Sequence, residues 1–118
     1  MSTKSRIYYE CEDGSFKGVY CHYDGYPSHV YPILYNASWE YVVKMVNEAL
    51  ANSGLRCLSD DSYEVFRDGS SGDDSWGVKE WPPCSAALEY NYLKRRDGSV
   101  ECIDYRANHV DCEVHGAA

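Results

Sequence analysis

The spacing of apolar and polar residues predicts two β-hairpins, one near each end of the chain. Each hairpin consists of two alternating runs around an Asp-Gly pair: residues 6–12 and 15–22 around Asp13-Gly14, then residues 88–96 and 99–105 around Asp97-Gly98. Glycine adopts the positive φ angles of tight turns, so an Asp-Gly pair between alternating runs is typical of a hairpin. The two hairpins together predict four antiparallel strands.

Two-residue turns would set the register of both hairpins. The predicted cross-strand pairs are Cys11 with Phe16, Tyr9 with Gly18 and Ile7 with Tyr20 in the first, and Leu93 with Cys102, Tyr92 with Ile103 and Tyr90 with Tyr105 in the second. Alternate residues of a strand point to the same face, so the three pairs of the first hairpin share one face. We expect that face to be the core face.

The middle of the chain predicts one well-formed helix and one broken helix. Ser38 is placed to cap a helix that begins at Trp39, and Gly54 to end it in a left-handed conformation. The apolar residues of this helix recur at helical spacing: Trp39, Val42, Val43, Val46, Ala49 and Leu50. In residues 26–35, Pro27 suits a helix start, but Pro32 removes a backbone donor about one turn later. That segment therefore predicts a short, broken helix.

Composition favours one folded domain that spans residues 1–118. A chain of 118 residues is typical of a single domain. Few residues are Leu, Ile, Val or Phe, but twelve tyrosines and three tryptophans supply large apolar bodies with polar tips. The predicted fold class is α+β: an antiparallel sheet built from the two hairpins, one main helix packed on one face, and long acidic loops.

The charge balance excludes several classes of partner. The chain has 11 lysines and arginines against 19 acidic residues, a net charge of −8. Such a chain repels phosphates and anionic membranes, so we expect no direct nucleic-acid or membrane binding and a basic protein partner instead. No long apolar run and no signal-peptide core are present, which predicts a cytoplasmic protein. In that reducing compartment the six cysteines are expected to be thiols: Cys11, Cys21, Cys57, Cys84, Cys102 and Cys112.

An acidic stretch surrounds a predicted short strand at Tyr63 to Arg67. Its six acids are Asp60, Asp61, Glu64, Asp68, Asp73 and Asp74, with three nearby aromatic residues, Tyr63, Trp76 and Trp81. One interpretation is a solvated loop that keeps the protein soluble, with the tryptophans packed on the open face of the sheet. The other is a surface that mimics nucleic-acid phosphates, with the aromatic side chains as contact residues for a partner.

The segment at the end of the first hairpin resembles a family signature. Residues 20–27 read Tyr-Cys-His-Tyr-Asp-Gly-Tyr-Pro. This is similar to the Tyr-Cys-His-Trp-Asp-Gly-Tyr-Pro signature of small proteins from bacteriophages and mobile elements, over about the first 35 residues. Tyr23 stands where the family has tryptophan, and Pro32 stands where its helix continues. The resemblance implies a phage or prophage origin and a small α+β fold, and it implies no catalytic residue.

The same segment allows a second interpretation, as a pocket. Its side chains include a thiol, an imidazole and a carboxylate within the set Tyr20, Cys21, His22, Tyr23, Asp24 and Tyr26. Neighbouring strand residues point to opposite faces, however, so Cys21 and His22 are poorly placed as a nucleophile and its base. Asp24-Gly25 would then only shape the strand exit. No glycine-rich phosphate loop accompanies the segment.

A further cluster has donor atoms that zinc prefers. Cys102, His109, Cys112 and His115 follow a Cys-x6-His-x2-Cys-x2-His spacing, and Cys84 is a substitute ligand. Structural zinc sites usually begin with a pair of cysteines two to four residues apart, and no such pair occurs. We therefore expect no bound metal and no cofactor, and keep a zinc-stabilised module as a third alternative.

These observations combine into one functional hypothesis. We expect a non-enzymatic, anti-CRISPR-like inhibitor of a bacterial defence system. It would bind a basic nucleic-acid-binding surface of a host protein, such as a CRISPR effector or another defence nuclease, in the bacterial cytoplasm. The alternative is a small-molecule binding protein or enzyme, for example for a nucleotide signal, that uses the Tyr20 to Pro27 segment.

Overall fold

The residues that the structure describes form one β-sheet with two helices on one face. The computed structural model describes residues 4–52, 54–66, 78–79, 81, 90–104 and 110–111. The helices are α1 (Pro27–Asn36) and α2 (Trp39–Leu50). The strands are β1 (Ser5–Glu10), β2 (Phe16–Cys21), β3 (Leu55–Leu58), β4 (Tyr63–Val65), β5 (Val78–Lys79), β6 (Tyr90–Lys94), β7 (Val100–Asp104) and β8 (Val110–Asp111). The α+β class is confirmed, and β4 falls within the strand predicted at Tyr63 to Arg67.

The sheet is mixed, whereas the sequence predicts an antiparallel one. Its described strands follow the order β4-β3-β2-β1-β6-β7-β8, and β5 pairs with β2. Both predicted hairpins are present, but β1 runs parallel to β6, and β2 runs parallel to β3. A parallel pair requires a long crossover, which the two helices and the following strands supply between the hairpins. The helix prediction is imprecise: α2 is the predicted main helix, but the segment predicted as a short, broken helix forms a second, continuous helix, α1.

Both hairpins differ from the predicted register by one residue. In the first, Ile7 pairs with Val19 rather than Tyr20; in the second, Tyr92 pairs with Cys102 rather than Ile103. The same shift applies to every predicted pair within the described residues. Each loop has three residues, closed by hydrogen bonds from Cys11 N to Ser15 O (2.7 Å) and from Arg95 N to Ser99 O (2.9 Å). The glycine at the third loop position has positive φ, 91° for Gly14 and 96° for Gly98. This is the geometry of a type I turn followed by a left-handed residue.

An aspartate and a serine stabilise each of these turns in the same way. The Asp13 carboxylate accepts hydrogen bonds from the backbone N–H of Ser15 (3.0 Å) and from its hydroxyl (2.6 Å). The Asp97 carboxylate accepts the equivalent pair from Ser99, at 2.9 and 2.7 Å. Because these bonds favour the ionised form, the pKa of each aspartate lies below its ordinary value of 3.8.

Acid should weaken both turns. A folded-state pKa below the ordinary value contributes stability that is fully present above the ordinary pKa and is lost as pH falls through the lowered one. We therefore expect the melting temperature, measured by circular dichroism, to fall as pH drops from about 5 to about 2. The fall should be shallower in the Asp13→Asn/Asp97→Asn variant, which has no carboxylate to protonate in either turn.

Glu12 supplies the control for this measurement. It lies beside Asp13 in the same exposed turn, and the described structure shows no hydrogen bond to its side chain. The Glu12→Gln variant should follow the wild-type curve of melting temperature against pH. If the double asparagine variant loses as much stability in acid as the wild type, the two turn aspartates do not cause the loss.

Helix α2 forms where the sequence predicts it. The Ser38 hydroxyl accepts a hydrogen bond from Tyr41 N (3.0 Å), and Gly54, at φ 120°, lies just past the helix end. Its fully buried face consists of Val42, Met45, Val46 and Ala49. Met45 extends the predicted apolar set, whereas Trp39, Val43 and Leu50 are only partly buried. The prediction of an apolar face against the sheet is confirmed.

Helix α1 is continuous, although Pro32 predicts a break. Pro27 occupies its first turn, and Tyr26 O accepts hydrogen bonds from the backbone of His29 and Val30. Pro32 has no backbone N–H, so the carbonyl of Ser28, four residues earlier, has no helical donor. Both residues lie on the exposed side of the helix. Water can satisfy a carbonyl on that side, so tertiary packing of the opposite face outweighs the local penalty.

A buried lysine anchors the C-terminal end of α1. Lys94 is 1% exposed and lies on the inner, helix-covered face of β6. Its ammonium donates hydrogen bonds to Leu34 O (2.8 Å), Tyr35 O (3.5 Å) and Gly98 O (2.9 Å). Burial lowers the pKa of Lys94 because the ammonium loses its hydration. The lysine thus joins the last turn of α1 to the second hairpin, at the helix end that favours a cation.

The outer face of the sheet is also buried at its centre. Tyr8 is 1% exposed and Leu93 is fully buried. The ring of Trp81 packs edge-on against Tyr8 at 5.1 Å, and its indole N–H donates to Glu101 Oε1 (2.7 Å). Of the two interpretations of the tryptophans, the structure therefore shows packing on the sheet for Trp81.

Candidate partner-binding surface

Asp60 and Asp61 lie at the tip of the turn between β3 and β4. A backbone hydrogen bond from Ser59 N to Ser62 O (2.8 Å) closes this turn, and both aspartates are exposed. They form one rim of a groove of about 530 Å³, which we call the inter-helix groove. Its lining residues come from the turn, from the end of α1 and from the start of α2: Ile33, Asn36, Ala37, Ser38, Tyr41, Asp60 and Asp61.

The carboxylates of this rim are not neutralised within the described part of the chain. The two ion pairs found there are Arg56 with Glu64 (2.8 Å) and Arg95 with Glu101 (3.1 Å). None of the described residues that line the inter-helix groove is basic. Two adjacent exposed carboxylates without a cation create a negative potential at this end of the molecule.

Tyr41 forms the aromatic wall of the inter-helix groove. Its ring contacts Tyr63 edge-on at 5.9 Å, and its buried hydroxyl oxygen has no hydrogen-bond partner among the residues that the structure describes. Burial, together with the nearby charge of Asp61, raises the pKa of the Tyr41 hydroxyl. Sequence reasoning missed this residue. The signal that could have found it is a large aromatic side chain on the otherwise polar face of α2, three residues before Lys44.

Two other predicted contact residues already have partners within the fold. The Tyr63 hydroxyl donates to Glu48 Oε1 (2.6 Å), and burial with this bond raises its pKa to about 12. Glu64 is paired with Arg56 and also accepts a hydrogen bond from the Cys57 thiol (3.6 Å). These contacts strengthen the β3–β4 hairpin and its attachment to α2. Among the described residues, Asp60 and Asp61 remain as the acids of the turn that form no ion pair.

The structure does not bring the whole predicted acidic surface together. Trp81 packs on the outer face of the sheet, whereas Asp60, Asp61 and Tyr63 lie at its helix-covered side. Four of the predicted residues lie outside the described part of the chain: Asp68, Asp73, Asp74 and Trp76. The described portion of the candidate surface is therefore the rim of the inter-helix groove.

The Tyr20 to Pro27 segment places its thiol and its imidazole on opposite faces of the sheet. Cys21 is fully buried on the inner face, and burial raises the pKa of its thiol to about 12. His22 lies on the other face, where its Nδ1 and the Tyr20 hydroxyl are 2.5 Å apart. Burial, followed by the nearby charges of Lys4 and Arg56, lowers the pKa of His22. A Cys-His catalytic pair is therefore not assembled here.

The rest of that segment turns the chain from β2 into α1. Asp24 has φ 56°, in the left-handed region, and Gly25 O accepts a hydrogen bond from the buried Tyr92 hydroxyl (2.6 Å). Tyr23 is 38% exposed, with the Arg56 guanidinium 5.5 Å from its ring centroid. Tyr26 is 39% exposed and caps α1 through its backbone carbonyl. The strand-exit interpretation thus accounts for the described contacts.

The cysteine and histidine residues give no metal cluster where the structure describes them. Cys102 is buried on the inner face of β7, and His109, Cys112, His115 and Cys84 lie outside the described residues. Within the described ranges, no three histidine, cysteine or acidic side chains converge on one point. Within the described ranges, no disulfide bond joins Cys11, Cys21, Cys57 and Cys102.

Comparison with known proteins identifies no relative for this arrangement. No family model, no curated protein and no solved structure matches the chain. In the part of the chain that the structure covers, neither helix is long and apolar enough to span a membrane.

Proposed function

We propose that the protein inhibits a bacterial defence system by binding a basic, nucleic-acid-binding surface of a host protein, without enzymatic activity. The observation that carries this proposal is the rim of the inter-helix groove. There, Asp60 and Asp61 are exposed, adjacent and without a cation in the described structure. A host surface that normally holds phosphates presents arginine and lysine side chains to such a rim.

The groove supports this proposal by its shape and by the sign of its charges. A guanidinium that enters between the turn and α2 would meet the carboxylates of Asp60 and Asp61 and the ring of Tyr41. Arginine makes planar hydrogen bonds to carboxylates and stacks on aromatic rings, so each of these groups favours it. The net charge of −8 adds long-range attraction to a basic partner.

The class of partner is supported by the resemblance of residues 20–27 to the signature of phage proteins. A phage protein that binds a host protein gains from blocking a nuclease or another effector of defence. The alternative function, a nucleotide-binding site in the same segment, has less support. His22 contacts Tyr20, Tyr23 and Phe66, and the Arg56 guanidinium lies over the Tyr23 ring. The inter-helix groove does not include any of these residues.

Association kinetics test the proposed rim. The experiment screens purified CRISPR effectors and other defence nucleases for binding, with inhibition of target cleavage as the functional readout. For a nuclease that is inhibited, Asp60→Asn/Asp61→Asn should slow association on the order of tenfold at low salt and flatten its salt dependence. Excess target DNA should compete with the wild-type protein for the nuclease.

The matched control removes two charges elsewhere on the surface. Glu12→Gln/Asp24→Asn gives the same net charge, and asparagine tolerates the left-handed backbone at Asp24. This variant should associate with a rate and a salt slope closer to those of the wild type. Equal slowing by both double variants would show that only net charge matters, and the rim of the inter-helix groove would lose its assigned role.

A further inference from the structure

A second groove lies at the turn end of the first hairpin, between that hairpin and α2. Its volume is about 560 Å³, within the range of about 300–1,000 Å³ that is typical of small-molecule sites. The described residues that line it are all different from those that line the inter-helix groove. We call it the hairpin groove.

The wall of the hairpin groove is apolar and aromatic. It consists of Tyr9, Cys11, Trp39 and Val43, of which the last three are only partly buried. The rings of Tyr9 and Trp39 meet edge-on at 6.3 Å, and the indole N–H donates to Glu10 O (2.8 Å), which holds its plane in place. A preformed aromatic wall of this kind favours a flat apolar ligand.

One end of the hairpin groove presents a fixed ammonium. Lys17 lies opposite Tyr9 in the hairpin, and its Nζ donates to Asn47 Oδ1 (3.3 Å). Asn47 Nδ2 in turn donates to the Tyr9 hydroxyl (2.9 Å). Lys17 forms no ion pair within the described ranges, and its one hydrogen bond goes to a neutral amide. This end of the groove therefore lacks an anion for its cation.

The acidic residues of the hairpin groove lie at its other end. Glu12 and Asp13 belong to the turn, and Lys17 lies further along β2, away from that turn. The Asp13 carboxylate accepts both of its hydrogen bonds from Ser15 within the turn. The two ends of the groove thus differ in charge. Beside the aromatic wall, the Arg96 guanidinium lies 5.8 Å from the centroid of the Trp39 ring.

We propose that the hairpin groove binds a small aromatic carboxylate. The ring would lie against Trp39 and Val43, and the carboxylate would accept hydrogen bonds from the Lys17 ammonium, at the end away from Glu12. A charge-assisted bond to a partly buried lysine contributes more than one between neutral groups, so the carboxylate is the group that sets the selectivity.

Protection of a cysteine from alkylation tests this site in the wild-type protein, before any substitution is made. Cys11 lines the hairpin groove, and Cys57, at a similar intermediate exposure, lies on β3 outside it. Indole-3-acetate is the probe, and its neutral analogue indole-3-ethanol is the control for charge. The rate of modification of each cysteine by iodoacetamide is followed by peptide mass spectrometry at increasing probe concentration.

Saturating indole-3-acetate should slow modification of Cys11 on the order of tenfold and leave that of Cys57 unchanged. The alcohol should require about tenfold higher concentration for the same protection, because it lacks the charge that Lys17 binds. Lys17→Gln should remove this difference between acid and alcohol, with the fold checked by circular dichroism. The proposal would be overturned if neither cysteine is protected, if both cysteines are protected equally, or if the wild type binds the acid and the alcohol equally.

Discussion

Val46→Asp should unfold the domain. Val46 is fully buried on α2, within the core cluster that also contains Ile7 and Val19 of the sheet. A carboxylate at this position would have no partner, and an uncompensated buried charge costs about 3–5 kcal/mol. This is a large part of the total stability of a small domain, which is about 5–15 kcal/mol. Urea unfolding followed by circular dichroism should show no cooperative transition, or one at a much lower midpoint.

Two neighbours of Val46 provide graded controls on the same helix. Val43→Asp should lower the midpoint less, because Val43 is only partly buried and the new carboxylate can reach water. Lys44→Asp, on the exposed face, should change stability by about 0.5 kcal/mol or less. A Val46→Asp variant that keeps the wild-type midpoint would mean that the inner face of α2 is assigned incorrectly.

Lys94→Ala should destabilise the protein by about 3 kcal/mol. The change removes the three hydrogen bonds of the ammonium and leaves the buried carbonyl of Leu34 without its side-chain donor. It also opens a cavity where the lysine stem packs, because Lys94 is almost fully buried. Amide hydrogen exchange should show the loss first in α1, whose C-terminal end depends on this lysine.

Lys94→Met separates the two causes. Methionine keeps most of the apolar stem but donates no hydrogen bond, so this variant should lose about 1–2 kcal/mol. Lys44→Met makes the same substitution at an exposed position of α2 and should change stability by about 0.5 kcal/mol or less. If Lys94→Ala is as stable as Lys44→Met, the lysine does not anchor α1.

Only part of the candidate site could be predicted from the sequence. Asp60 and Asp61 are visible in the sequence as acids in a turn-forming segment, and the structure places them at the rim of a groove. Tyr41 was missed because its role depends on where the β3–β4 turn meets α2. Trp81 packs on the sheet because the fold places Tyr8 and Glu101 beside it, and the sequence does not indicate these neighbours. Contacts between residues far apart in sequence decide each of these cases.

The hairpins show how local chemistry is predicted in part. The two Asp-Gly pairs correctly indicate both turns, but the predicted register is wrong by one residue in each. In both turns the residue after glycine is a serine that bonds back to the aspartate. That bond accompanies a three-residue loop with a left-handed glycine. The predicted register is wrong because it depends on a two-residue loop. In the first hairpin, this one-residue shift places Val19 and Cys21, rather than Gly18 and Tyr20, on the core face with Ile7 and Tyr9.

The sequence alone determined three features: helix α2, the positions of both turns and the acidic character of the surface. These features depend on interactions within a few residues, such as the cap at Ser38, or on composition. The tertiary structure decided the parallel pairing of β1 with β6, the continuity of α1 through Pro32, and the burial of Lys94. Each of these depends on groups that the fold brings together from distant parts of the chain, where packing outweighs local preference.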